Sequence, residues 1–156
     1  MYQIFADYKN LIIFLHVISA VIWVGGMVAI RFATHQSLLH LEPKLRIERT
    51  LQILKRLFTI VSPFVVILLI TAIILEIALG LKGDITAHIK ELIWVIMSIN
   101  LGVMIYRRNH AQRAFNSGDI AMSAKFLAPI AKYMVPANIA LGTVAIYLGV
   151  VLRNSY

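Results

Sequence analysis

The chain of 156 residues contains no cysteine. That absence excludes a disulfide scaffold, a thiol nucleophile, iron–sulfur clusters, Cys-ligated zinc or copper, and covalent haem c, which needs a CxxCH sequence. Charge is scarce as well. Only 14% of residues are charged and 60% are apolar, against about 25% and about 45–50% in ordinary soluble domains. Acidic residues are the scarcest, 7 against 15 Lys and Arg, which leaves a formal net charge of +8. A water-soluble globular enzyme and a disordered chain are both excluded by this balance. Walker A, GxGxxG, HExxH and GxSxG patterns are absent, so phosphate-loop, dinucleotide, zincin and hydrolase chemistry have no footing here. No internal repeat, low-complexity tract or linker interrupts the chain.

What is present is hydrophobic length. A span needs about 20 apolar residues to cross a hydrocarbon core of about 30 Å, and four runs qualify: 11–30, 57–79, 89–106 and 126–152. The second carries Pro63 and Glu76, and the fourth carries Pro129, Lys132 and Pro136. The first is too long for a signal-peptide core, follows only Lys9, and has no A-x-A after it, so it is expected to be retained. The expected fold is all-α, a four-helix transmembrane bundle forming one domain over 1–156.

Basic residues fix the expected orientation. Arg31, Lys44, Arg46, Arg49, Lys55 and Arg56 separate the first two runs; Arg107, Arg108, Arg113 and Lys125 separate the last two. The opposite side holds little beyond Lys9, Lys82, Lys90 and Arg153. The positive-inside rule then makes both basic segments cytoplasmic and both termini extracytoplasmic, in a multi-pass protein of the bacterial inner membrane. Positive charge beside spans points to anionic membrane lipids, not to nucleic acid. Leu38, Leu41, Leu45 and Leu51 recur at helical spacing, which predicts an amphipathic helix over 37–55 on the cytoplasmic surface.

Ionisable groups inside spans are costly and mark function by default. In the expected topology His16 lies about one and a half turns below the outer surface and Glu76 about one turn below it. His88, Lys90 and Glu91 open the third helix at that same level. The His16 face continues through Ser19, Trp23, Gly26 and Met27, a groove able to admit a flat ligand. His16 reads either as a metal or haem ligand or as an interhelical hydrogen bond. His88 reads as a ligand or as an interfacial histidine. Lys90 is a functional cation or a snorkelling side chain. Glu76 is a proton carrier or the partner of Lys82 or Lys90 in an ion pair. His35, His40 and His110 are expected to be solvated. Met27, Met97, Met104 and Met134 suggest either a soft copper path or ordinary packing. Gly26 of the Gly25-Gly26 pair, and Asn138, Gly142, Ala145 and Gly149 on one face of the fourth helix, suit close helix packing.

Two imidazoles on facing helices can ligate haem iron, with Lys90 pairing with a propionate or completing the coordination. Zinc prefers three or four ligands, more than these histidines provide. Haem b is the cofactor that fits, and copper is the alternative.

The residues also carry a resemblance. Leu15-His16 followed by Trp23 and Gly26, then Arg31-Phe32, His35, Arg56, Pro63, the His88-x-Lys90 pair, Phe115-Asn116-Ser117-Gly118 and Pro136 together resemble HemJ-type protoporphyrinogen oxidases and their CopD-like relatives. The similarity spans essentially the whole chain. It implies haem b and oxidation of protoporphyrinogen IX to protoporphyrin IX, with His16 and Lys90 essential. Glu76 and Glu91 would then accept protons, and electrons would pass to quinone or a respiratory partner. Arg107 follows Tyr106 where the family carries a histidine. Copper transport, or electron carriage by a small cytochrome b, are the rival functions, and a bundle this small is expected to form homo-oligomers.

Overall fold

The computed structural model describes residues 2–80 and 83–155, and among them every regular element is helical. Helix α1 (Tyr2–Ala29) passes through a π-helical turn (Ile30–Thr34) into the short α2 (His35–Leu38). Helices α3 (Pro43–Leu79) and α4 (Ile85–Asn116) follow, then α5 (Ile120–Pro129), a second π-helical turn (Ile130–Met134) and α6 (Val135–Ser155). Together they give four segments long and apolar enough to cross a membrane: Asp7–Leu38, Pro43–Leu79, Ile85–Asn116 and Ile120–Leu152. Helix is the form such sequences take because hydrocarbon offers no partners to unpaired backbone groups.

The stops are local chemistry. Gly80 adopts φ 68° and returns its N–H to the Glu76 carbonyl, ending α3. Asp84 accepts the N–H groups of Thr86 and Ala87 to start α4, and Asp119 accepts that of Met122 to start α5. Helix α1 packs against α3 and α6, and α4 packs against α3, α5 and α6, which sets α1 and α4 on a diagonal of the bundle. The outer surface is apolar, with Phe14, Val17, Ile60, Val66, Ile99 and Tyr147 all more than half exposed. A surface this apolar is consistent with a multi-pass membrane protein.

Helices overshoot the apolar runs at the end that carries most of the Lys and Arg, termed here the basic end; the other is the terminal end. At 37 residues, α3 is about 55 Å long, well beyond a core of about 30 Å. The surface helix expected over 37–55 is therefore corrected. Residues 43–55 are the first turns of α3, and Ile47, Leu51 and Leu54 are buried in the same core as Ala111 and Leu127. The 3–4 spacing that suits a helix lying on lipid suits equally a helix packed on its neighbours. The guanidinium of Arg108 fastens this extension, donating from Nε and Nη2 to the Leu51 carbonyl, both at 3.2 Å.

The fourth crossing is broken by its prolines, and two arginines repair the break. Pro129 has no N–H for the Lys125 carbonyl four residues earlier, and Arg107 donates there instead (3.5 Å) and to Phe126 O (3.1 Å). In the following turn Val135 N–H reaches Ile130 O in the i→i+5 pattern. The next bond of that pattern would run from residue 136 to Ala131 O, but 136 is proline; Arg31 donates to that carbonyl at 3.4 Å. Arg107 and Arg31 thus serve backbone acceptors that proline leaves open.

One polar clamp lies at mid-bundle. Asn100 Nδ2 donates to Asn138 Oδ1 (2.7 Å) and to Met134 O (2.8 Å), and fully buried Asn138 donates to Met97 O (3.5 Å). Interhelical hydrogen bonds of this kind contribute about 0.6–2 kcal/mol in membranes, and stranding a buried amide adds its desolvation cost of about 1–3 kcal/mol. Asn138→Ala is expected to lower stability by about 2 kcal/mol in SDS titration of the detergent-solubilised protein, and Asn100→Ala/Asn138→Ala to cost less than the two singles summed.

Candidate functional site

The site is built at the terminal end, from the inward faces of α1, α3, α4 and α6. Its register can be read from the glycines of α6. A Cβ on Gly142 would collide with Val24 of α1 and come within 3.2 Å of Met97 of α4, so these three residues share a level. Seven residues toward the terminal end, a Cβ on Gly149 would lie 3.4 Å from Lys90 Nζ. Seven residues back from Val24 is Val17, adjacent to His16. His16 and Lys90 therefore stand at one depth on diagonal helices.

His16 is half-buried, and its Nδ1 lies 2.9 Å from Thr71 Oγ1 on α3. The hydroxyl of Thr71 has one proton, and the Ile67 carbonyl at 2.8 Å claims it, with the Leu68 carbonyl at 3.0 Å on the same side. With that proton on a carbonyl, Thr71 Oγ1 accepts from Nδ1, and a neutral His16 in that tautomer has its Nε2 lone pair available as a ligand or base. The two sequence readings of His16 are compatible because they use different nitrogens.

Lys90 belongs to the inward stripe of α4. At about 100° per residue, Lys90, Trp94, Met97, Leu101, Met104 and Arg108 share one side of the helix, and Met97, Leu101 and Met104 are buried along it. His88 is about 200° from Lys90 and points away. Its Nδ1 pairs with Glu91 Oε2 at 3.2 Å, with both side chains about half exposed (52% and 49%). The structure thus sets His16 and Lys90 at one depth, and separately pairs His88 with Glu91 on the outer face. Glu76 is half-buried, five residues beyond Thr71 and about 140° around α3 from it, and makes no ion pair with Lys90 among the described residues. Lys82, its other expected partner, lies outside the described residues.

The groove expected along α1 is closed by packing. Ser19, Trp23 and Met27 are 0%, 1% and 0% exposed, and a Cβ on Gly26 would meet Leu57 of α3 at 2.9 Å. Gly26 is a packing residue, Gly25 has open space around it, and Ser19 turns its hydroxyl back to Leu15 O at 2.6 Å. The reason is that a face small enough to admit a ligand is also small enough to admit a helix, and α3 takes the space. Met27, Met97 and Met104 sit in this same apolar core.

Three polar atoms inside the bundle lack partners among the described residues: Trp23 Nε1, Trp94 Nε1 and Ser98 Oγ. By the α6 register they fall at neighbouring levels on the two diagonal helices, one to two turns below Lys90. A buried indole N–H without an acceptor is unfavourable by about 1–3 kcal/mol, more keenly so away from water. Trp94 and Thr71 are the residues that sequence reasoning missed. Trp94 follows Lys90 at i+4 and Ser98 follows Trp94 at i+4, a spacing that marks one helix face once Lys90 is suspected.

The remaining histidines are at the basic end. His110 is partly exposed, its ring 4.3 Å from that of Tyr106 and 5.4 Å from that of Phe126. His40 is exposed, and His35 lines a cavity of about 50 Å³ between the two π turns, with Arg31 and Ala131. No three His, Cys, Asp or Glu among the described residues converge as a metal site. No family model, no curated protein and no solved structure matches the chain.

Proposed function

We propose that the protein is a haem b-binding membrane oxidoreductase with its site near the terminal end of the bundle, taken as the extracytoplasmic side. The observation that carries this reading is the His16–Thr71 pair, which engages one imidazole nitrogen and leaves the other for a ligand, at the depth of a lysine with no ion pair among the described residues. The donor set fits haem. A porphyrin brings four nitrogens of its own and needs only one or two axial ligands, whereas a protein-bound zinc or copper ion asks for a ligand cluster the described residues do not gather. Haem b is also acceptor-rich at its propionates. The Lys90 ammonium is a donor suited to such oxygens.

In this reading His16 Nε2 would hold the iron and Lys90 a carboxylate, with Trp23 and Trp94 packed beneath them. When bound, haem b supplies one-electron redox chemistry. The resemblance to HemJ-type proteins makes protoporphyrinogen IX the substrate. Its oxidation to protoporphyrin IX releases six electrons and six protons, which three quinones accept to become three quinols. Half-buried Glu76, or Glu91 of the exposed His88–Glu91 pair, would accept the protons. The even number of crossings keeps both termini on one side, and the basic end faces the anionic cytoplasmic leaflet.

The test is a reduced-minus-oxidised absorption spectrum of detergent-purified wild type, His16→Ala and His88→Ala. A Soret band with sharp α/β bands is expected in wild type, lost in His16→Ala and kept in His88→Ala, because the His88 ring faces outward. A colourless wild type expressed with ample haem would overturn the reading and turn attention to copper. Porphyrinogen turnover without quinone, oxygen or any protein acceptor would sink the assigned electron route.

A further inference from the structure

A groove of about 250 Å³ opens between α3 and α4 at the basic end, far from the His16 site. Its walls include Lys55, Phe58, Ile105, Arg108 and Asn109. Depth is set by α4. Lys90 and Arg108 lie on one line of that helix, eighteen residues and so about 27 Å apart, close to the thickness of a hydrocarbon core of about 30 Å. Lys55 immediately precedes the apolar run 57–79. The groove therefore straddles the boundary between hydrocarbon and headgroups, with Phe58 and Ile105 on the hydrocarbon side and the cations at the rim.

The polar groups of the rim are donors held in place. Arg108 spends its Nε–H and one Nη2–H on the Leu51 carbonyl, the other Nη2–H on Gln112 Oε1 (2.9 Å) and one Nη1–H on Asn109 Oδ1 (3.2 Å). A guanidinium has five N–H groups, so one remains, on a side chain that cannot swing away. Asn109 accepts through its oxygen and thereby keeps its NH₂ for another acceptor. Lys55 forms no ion pair among the described residues, and no carboxylate lines the groove. The hydroxyls of Thr59 and Ser62 are turned to the Lys55 and Phe58 carbonyls and do not compete. Two cations and an amide converge on one rim with nothing negative between them, above an apolar wall.

We infer that this groove binds one anionic phospholipid, its phosphodiester between Lys55, Arg108 and Asn109 and an acyl chain along Phe58 and Ile105. Basic pockets between spans on the cytoplasmic side recognise such headgroups, and the fixed guanidinium lowers the entropy of ordering one. The inference rests on the membrane placement and not on the haem reading.

The experiment is thermal unfolding of delipidated full-length protein in neutral detergent, titrated with phosphatidylglycerol, with phosphatidylcholine, or with inorganic phosphate. Wild type, Lys55→Gln and Lys44→Gln are compared; Lys44 is exposed, at the same end and outside the groove. Phosphatidylglycerol is expected to raise Tm saturably and phosphatidylcholine not to, with apparent affinity about five-fold weaker in Lys55→Gln and unchanged in Lys44→Gln. Equal responses to the two lipids, or equal losses in the two variants, would overturn the site in favour of nonspecific lipid or bulk charge. A matching rise with inorganic phosphate would replace the lipid by a small anion.

Discussion

Gly142→Val is expected to stop the bundle from closing. The Cβ added at Gly142 would overlap the Val24 side chain, and Met97 on the far side leaves no room to move away. Overpacking a dense core is unfavourable by about 1–3 kcal/mol and occasionally more, and here two helices must separate to relieve it. Parting α6 from α1 also strains the Asn138–Asn100 clamp one turn away and the seat of Gly149 beside Lys90. The variant should elute as aggregate in size-exclusion chromatography, under conditions where wild type runs as a single species. Gly102→Val supplies the control: Gly102 is exposed with nothing within 4 Å of an added Cβ, and the protein should remain monodisperse. A well-behaved Gly142→Val would mean that α1 and α6 are not packed as described.

Thr71→Val is expected to weaken the cofactor site without unfolding the protein. Valine keeps the volume and removes the oxygen that accepts from His16 Nδ1, so either ring nitrogen can carry the proton and the ring is free to turn. Loss of an outer partner of this kind typically lowers metal affinity 10–100-fold. Haem titration of the apoprotein should therefore show affinity reduced by about that factor in Thr71→Val and largely restored in Thr71→Ser, whose hydroxyl can repeat the contact. The readout that a packing role would not move is spectroscopic: the EPR g-values of the ferric haem should shift in Thr71→Val and return in Thr71→Ser. Identical spectra and affinities in all three proteins would remove Thr71 from the site. If His16→Ala also kept its haem, the axial assignment itself would fail, which separates the two claims.

The element pattern was legible because hydrocarbon enforces it: without water, backbone groups must pair along the chain, so apolar length alone announces four helices. The depth of His16, Lys90 and Glu76 followed from counting 1.5 Å per residue along those helices. Proline, too, announced the break in the fourth crossing, though not that Arg31 and Arg107 would serve the carbonyls it leaves open. What counting residues could not supply was rotation between helices. His88 and Lys90 are two residues apart, yet one faces outward to Glu91 and the other inward toward Gly149. The stripe through Ser19, Trp23 and Gly26 looked like a groove until α3 filled it. Residues 43–55 looked like a surface helix until Ala111 and Leu127 covered their apolar face.

Sequence by itself determined the helical class, the four helices long and apolar enough to cross a membrane, and the uneven placement of charge. Tertiary structure alone decided which side chains meet. Thr71 is an ordinary threonine in an apolar run, and only its juxtaposition with His16, fifty-five positions away in the chain, gives the imidazole a defined tautomer. Periodicity reports which face of a helix is inward. The side chain opposite that face belongs to another helix, and its choice depends on interhelical packing that no single segment encodes.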